Sequence, residues 1–318
     1  MNVLLINEEE VRHLLTMDMA LEAVEEGLRK LALDEAQNNP RNRCQTDHVM
    51  LHVMSASAKT FGVLGYKAYA ASRKGTQFHV GLFDGKTGAL LCLMQADYLG
   101  QVRTGAASGV ATRIMSRPEA SEVGVFGSGK QARTQVQAVC KVRKINRVQV
   151  YSINEERRRA FAHEMSNVCE VEVEPVVHPE LAALDKDIII TATTSREPIL
   201  NSPWVAEGTH INAVGSNFLA KAELDAELVR RCKPIVVDSK DQARLEAGDL
   251  VQALEDGTIQ WSDVRELGQV IVGRYPGRAH PQDVSLYKSL GIAVEDVAAA
   301  SRVYAKAKAE GMGKLIEW

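Results

Sequence analysis

Val123–Gly124–Val125–Phe126–Gly127–Ser128–Gly129–Lys130–Gln131–Ala132 is the most informative stretch of the 318-residue chain. It reads Gly-x-Gly-x-x-Ala, directly after an apolar strand (122–126) and directly before a helix (129–141). Each small residue there has a steric reason. Gly127 permits the tight turn, Gly129 lets backbone N–H groups approach a pyrophosphate, and Ala132 lets helix and strand pack closely. The helix N-terminus then faces the phosphates. The glycines alone would carry little weight; in this context they predict a dinucleotide-binding turn. Ser128, Lys130 and Gln131 join Gly127 and Gly129 as candidate cofactor contacts.

Downstream the pattern is strand and helix in alternation. Strands are predicted at 122–126, 147–152, 171–176, 187–193, 211–214 and 235–238, with helices at 129–141 and 155–166. Near-continuous apolar runs such as Ile188–Ile189–Ile190 suit parallel strands covered on both faces. The fold class is α/β, with a Rossmann-type doubly wound domain over 118–280 that begins after Arg117–Pro118. Upstream, 8–33 reads as one helix, broken by Asn38–Asn39–Pro40. Strands follow at 48–54, 63–71, 77–84 and 89–95, the last two flanking the hairpin turn Gly85–Lys86–Thr87–Gly88. Residues 104–116 read as a helix rich in small residues, and the tail 283–318 as helix returning to the first domain. Residues 1–117 and 281–318 thus form a split α+β domain.

Composition narrows the class. A hydrophobic fraction of 45% and a charged fraction of 25% are ordinary for a soluble globular protein. The formal charge of −3 gives no general pull toward nucleic acid. Arg157–Arg158–Arg159 follows two glutamates and reads as a solvated helix face. The five cysteines are scattered, odd in number and without CxxC spacing, which fits a reducing, cytoplasmic compartment. The N-terminus lacks the basic region and cleavage site of a signal peptide. No segment reaches the roughly 20 apolar residues of a membrane span.

The end of the second strand of the doubly wound domain selects the cofactor. An acid there accepts from the ribose 2′-OH of NAD, whereas a nearby arginine accommodates the NADP phosphate. Here the strand ends Val150–Tyr151–Ser152–Ile153–Asn154, with Ser152 in place of the acid. Ser152 does not repel a 2′-phosphate, Asn154 can donate to one, and Arg157 or Arg158 lies on the next helix, close to Glu155 and Glu156. The reading favours NADP(H) over NAD(H). Thr193 and Gly215, at the ends of two later strands, complete the cofactor set.

In the first domain the polar residues that stand out are Arg41, His52, Lys67 and Arg103. Lys67 lies in the apolar strand Gly62–Val63–Leu64–Gly65–Tyr66–Lys67–Ala68–Tyr69–Ala70, where a charge is costly unless paired. Arg103 opens a small-residue helix near the domain boundary, where ligand clefts often form. Cys44, His48 and His52 recur every four residues, but no HExxH, CxxC or carboxylate partner accompanies them, so no metal site is expected. No GxSxG or Ser/His/Asp arrangement supports hydrolysis.

Over essentially its whole length the chain resembles the ornithine cyclodeaminase/μ-crystallin family. The resemblance rests on Pro40–Arg41, Lys67, Val102–Arg103–Thr104–Gly105–Ala106–Ala107, the 127–132 turn, Asn212–Ala213–Val214–Gly215–Ser216–Asn217 with Glu223–Leu224–Asp225, and Ser289–Leu290–Gly291. It implies roles. Arg41 binds the substrate carboxylate, which suits a bidentate fork. Lys67 is the active-site lysine beside the substrate amine or imine. Arg103 is shared between carboxylate and cofactor, and Thr104 contacts a phosphate. Val214 and Ser289 lie around the nicotinamide. The split domain binds substrate and forms a homodimer.

Two departures bear on the reaction. Asn217 stands where cyclodeaminases carry a catalytic aspartate, and His52 where some carry a glutamate near the substrate. The expectation is therefore an NAD(P)-dependent imine reductase or amino-acid dehydrogenase acting on a small imino or amino acid. The alternatives are an ornithine-type cyclodeaminase and a non-catalytic NADP(H)-binding protein.

Overall fold

The computed structural model describes residues 2–317. They fall into two units, one of Met1–Arg103 with Gly291–Trp318 and the other of Thr104–Leu290.

The first unit holds β1 (Asn2–Ile6), α1 (Glu8–Leu14), α2 (Met17–Ala32), β2 (Ala36–Gln45), β3 (Val49–Ala58), β4 (Val63–Ser72), β5 (Gly75–Asp84), β6 (Leu90–Gln95) and the start of α3 (Asp97–Met115). Near the end of the chain it gains α10 (Ala293–Glu310) and β15 (Lys314–Glu317). Its seven-stranded sheet runs β15-β1-β6-β5-β4-β3-β2. The strands alternate with period two. On β3, His52, Met54, Ala56 and Ala58 are buried, while Val49, Leu51 and Val53 on the other face are exposed. Helix α10 lies against α2 so closely that a Cβ on Gly27 would sit 3.2 Å from that of Ala298.

Local chemistry explains where this unit departs from expectation. The single helix predicted at 8–33 is two. Asn7 closes a capping box on α1, and Thr16 accepts from Met19 N at 3.2 Å to restart the chain as α2. Asn38–Asn39–Pro40 is not a loop but part of β2, the edge strand of the sheet. Proline is tolerated at an edge because its missing N–H faces no partner strand, and the register shifts between Asn39 and Asn42. The tail is not all helix: it contributes β15, paired antiparallel to β1, to this sheet.

The second unit holds β7 (Glu122–Phe126), α4 (Lys130–Val142), β8 (Arg147–Tyr151), α5 (Glu155–Cys169), β9 (Glu172–Pro175), β10 (Ile188–Thr191), β11 (His210–Ala213), α6 (Ala226–Arg231), β12 (Cys232–Val237), α7 (Lys240–Glu246), α8 (Gly248–Glu255), β13 (Val264–Glu266), α9 (Leu267–Ile271) and β14 (Val284–Lys288). The eight strands run β13-β12-β14-β11-β10-β7-β8-β9, every neighbouring pair parallel. Ile188 and Ile190 join one buried cluster with Val123 and Phe161; Ile189 joins another with Ile211 and Leu286. The sheet is thus apolar on both faces, as the isoleucine run requires. From β7 the chain winds out through β8 and β9 and then returns to β10 on the other side. The crevice at the carboxyl ends of β7 and β10 is the switch point where open α/β sheets bind ligands.

The unit boundaries lie at 103/104 and 290/291, not at 117/118 and 280/281. Most of α3 belongs to the second unit: Gly105 packs so closely that a Cβ would meet Thr134 O at 2.4 Å. Gln135 Nε2 donates to Thr104 O at 3.1 Å, and Asn212 Nδ2 to Thr112 Oγ1 at 2.9 Å. Strand β14, expected as helix, is an interior strand between β11 and β12.

Candidate active site

In the first unit, four buried charges make one hydrogen-bonded chain. Lys67 sits mid-strand on β4, 3% exposed, and its Nζ donates to Asp296 Oδ1 at 2.8 Å. The same oxygen accepts from Arg103 Nε at 2.8 Å, and Arg103 Nη1 donates to Glu295 Oε2 at 2.6 Å. Glu295 and Asp296 lie in the first turn of α10, where the helix dipole favours carboxylates. Two glycines make room. A Cβ on Gly100 would come within 2.8 Å of Lys67 Nζ, and one on Gly291 within 2.5 Å of Arg103 Nη1. Gly291 O also accepts from Arg41 Nη2 at 3.0 Å, which ties Arg41 to the same corner.

The electrostatics follow from this packing. Burial pushes the Lys67 ammonium down to about 8, against the pull of Asp296 and with help from Arg103 and Arg41. For Arg103, burial opposes the charge, but Asp296 and Glu295 outweigh it and hold the guanidinium above its usual range. His52 stacks on Tyr69 with ring centroids 4.2 Å apart. Burial, then Arg43 and Arg41, push it down to about 4, so it is neutral at pH 7. Asp296 Oδ2 is buried with no hydrogen-bond partner among the described residues. Arg41, Lys67 and Arg103 face two carboxylates here, a local excess of positive charge that suits an anionic ligand.

Four first-domain residues singled out in the sequence, Arg41, His52, Lys67 and Arg103, are thus all buried in this unit. Glu295 and Asp296 were missed, although a signal existed. They interrupt the apolar run Ala293–Val294 and Val297–Ala298–Ala299–Ala300, the same costly placement that drew attention to Lys67. Cys44, His48 and His52 do not share a strand. Cys44 lies on β2, His48 in the turn, and His52 on the buried face of β3.

In the second unit a cleft of about 540 Å³ opens at the carboxyl ends of β7, β8 and β10, lined by Gly127, Ser128, Gly129, Ser152, Asn154 and Thr193. Gly127 has φ +108°, and a Cβ would lie 2.4 Å from Ala192 O. Gly129 is the N-cap of α4, and no atom lies within 4 Å of its Cβ position. That open, glycine-floored helix end fits a pyrophosphate. Arg133 Nη1 braces the turn through Ser128 O at 2.8 Å, and Ser128 Oγ donates to Ser152 Oγ at 3.0 Å. Lys130 and Gln131 form the first turn of α4, and Gln131 Oε1 is buried without a partner among the described residues.

Two details define the ribose end, and the second narrows the choice between Arg157 and Arg158. Asn154 caps α5, its Oδ1 accepting from Arg157 N at 2.8 Å, so only its amide N–H groups remain to donate to a phosphate. Arg158 is buried and donates to Ser152 O at 2.6 Å, which commits it to the backbone and leaves Arg157 as the cleft-lining arginine. Ile153, missed in the sequence, stands 93% exposed on the cleft wall.

The remaining predicted residues lie on neighbouring strand ends rather than in the cleft lining. Val214 N donates to Thr191 O at 2.8 Å, and Gly215 and half-buried Asn217 follow in the same turn. Ser289, after β14, donates from its N–H to Ala213 O at 3.0 Å, and its Oγ is buried without a partner among the described residues. Thr104 is buried at the start of the unit.

The chain is similar to proteins of known activity along essentially its whole length. The alanine dehydrogenase of Archaeoglobus fulgidus is 34% identical over 334 residues, spanning 100% of this chain and 99% of that protein. A Delta(1)-pyrroline-2-carboxylate reductase of Bacillus cereus is 37% identical over 238 residues, 74% of this chain and 73% of that protein. The Thermococcus litoralis Delta(1)-pyrroline-2-carboxylate reductase, solved in complex with NADH and L-proline, superposes with a TM-score of 0.93 at 34% identity, over 98% of this chain and 99% of that one. The ornithine cyclodeaminase/mu-crystallin family model matches residues 1–311, and the chain belongs to that family.

Proposed function

We propose that the protein is an NAD(P)-dependent reductase or dehydrogenase that transfers a hydride at the α-carbon of a small α-imino or α-amino acid. The observation that carries this is the buried Lys67–Asp296–Arg103–Glu295 chain, beside Arg41, in a family whose relatives act on such compounds. A bound nicotinamide supplies or accepts the hydride; Gly127, Gly129, Ser152 and Thr193 hold the cofactor. Arg41 forks onto the substrate carboxylate. Lys67, with a proton it holds at neutral pH and releases readily, donates to the nitrogen as the C=N bond is reduced and takes the proton back in the oxidative direction. Asp296 orients both Lys67 and Arg103. Neutral His52 offers no carboxylate to a distal amine, and Asn217 does not titrate, so neither supports cyclodeamination.

Ser152 and cleft-lining Arg157 support use of NADP(H) at least as well as NAD(H). The exposed face of Leu51, Val53 and Leu64 supports a homodimer built on the first unit's sheet. No helix among the described residues is long and apolar enough to cross a membrane. The test is a panel of Δ1-pyrroline-2-carboxylate, pyruvate with ammonia, and L-ornithine, each with NADH and NADPH. Net cofactor oxidation with the first or second is expected. Proline formed from ornithine without net cofactor change overturns the reading in favour of a cyclodeaminase.

A further inference from the structure

Glu223 is a buried carboxylate outside both clusters, 0% exposed. It collects four donors, two on each oxygen. Oε1 accepts from Thr193 N and Thr193 Oγ1, both at 2.7 Å. Oε2 accepts from Thr191 Oγ1 at 2.9 Å and Gly215 N at 2.8 Å. An ionised carboxylate has about four acceptor sites, so this one is full. The donors come from two different strand ends: Thr191 and Thr193 at the end of β10, Gly215 just past β11. Nothing larger than glycine fits at 215, where a Cβ would lie 2.4 Å from Glu223 Oε1 and from Thr193 O.

A second layer holds the carboxylate itself. Glu223 N donates to Asp249 Oδ1 at 2.6 Å. Asp249 Oδ2 pairs with Lys288 Nζ at 2.9 Å, and Lys288 Nζ donates to Ser216 O at 2.6 Å, returning to the 215–217 turn. Asp249 and Lys288 are buried as well. Burial raises the Glu223 pKa, with Lys288 and the Thr193 donors opposing and Asp249 adding to the rise. Such a network is worth its desolvation only when fully satisfied.

Thr193 lines the dinucleotide cleft, and the β11 turn carries Val214, Gly215 and Asn217. We infer that Glu223 is a positioning residue, clamping the ends of β10 and β11 into the one relative arrangement that accepts the nicotinamide half of the cofactor. The inference rests on the proposed NAD(P)-dependent reading. A glutamine at 223 keeps the size but presents an NH2 where two donors already point, which leaves buried N–H groups unmatched.

The test compares wild type, Glu223→Gln and Thr191→Val. Hydrogen exchange is read on the ligand-free proteins, and NADH and NADPH binding by nucleotide fluorescence. In Glu223→Gln, peptides covering 188–195 and 211–217 exchange at least tenfold faster while those of β8 and β9 do not change. Dinucleotide Kd rises at least tenfold, with the KM of the imino acid within twofold of wild type. Thr191→Val, which removes one donor and should fold in any case, gives the same pattern at about threefold. A merely structural role would speed exchange throughout the unit and leave Kd unchanged in the folded fraction, and that result overturns the inference, as do wild-type exchange and Kd in both variants. If wild type binds neither nucleotide, the parent reading fails and this one with it.

Discussion

Asp296→Asn is the most revealing single perturbation, because one oxygen of Asp296 serves both Lys67 and Arg103. The amide keeps the shape and loses the charge. A hydrogen bond to a charged group contributes about 1.5–3 kcal/mol, and one pKa unit corresponds to about 1.4 kcal/mol. Lys67, already pushed down to about 8 mainly by burial, therefore falls by roughly one to two further units. In the proposed mechanism imine reduction uses the protonated lysine, so the expected rate is full below this pKa and lost as pH rises through it. At pH 7.5 the protonated fraction drops from about three-quarters to between about one-quarter and one-thirtieth, a roughly threefold to twentyfold loss. Near pH 5.5 much of the difference closes. The assay is kcat/KM for reduction of Δ1-pyrroline-2-carboxylate, followed by reduced-nicotinamide absorbance, from about pH 5.5 to about pH 9.5. Arg103 keeps Glu295 and stays charged in the variant. A basic limb that stays near 8 in Asp296→Asn refutes the assignment of that proton to Lys67.

Three further outcomes follow from the same geometry. Arg41→Lys raises KM for the carboxylate substrate by about tenfold with kcat within a factor of about two, because an ammonium lacks the planar fork; unchanged KM removes Arg41 from the carboxylate site. Ser152→Asp shifts the NADPH-to-NADH ratio of kcat/KM toward NADH by at least about tenfold, through acceptance from the 2′-OH and repulsion of a 2′-phosphate; a strong NADH preference already in wild type contradicts the strand-end reading. Leu51→Glu, on the exposed apolar face of β3, yields monomers in sedimentation at micromolar concentration where wild type is a dimer; a dimer that persists moves the interface elsewhere.

The parts of this molecule legible in the sequence are those fixed by short-range rules. The 127–132 turn, the isoleucine run of β10 and the hairpin before β6 each declare themselves within ten residues. Lys67 was legible for the opposite reason, as a charge where local pattern demands none. Asp296 carries the same signal in its own apolar run, but the pairing of the two is not legible: they lie 229 positions apart, and pairing at that distance leaves no periodicity to read. Asn38–Asn39–Pro40 misled because an edge strand tolerates what an interior strand forbids. Arg158 looked available for a phosphate, and only tertiary packing turns its guanidinium onto Ser152 O.

The late arrival of α10 bears on how the protein is made. Lys67 and Arg103 leave the ribosome 229 and 193 residues ahead of the carboxylate they share. Until then the first unit would have to bury two cations without these counter-charges, a cost of several kcal/mol per ion. The doubly wound unit, whose residues 104–290 are contiguous, faces no such delay. The order of synthesis thus favours a nascent chain that matures its doubly wound unit first and completes the Lys67–Asp296–Arg103 chain only as the final helix docks.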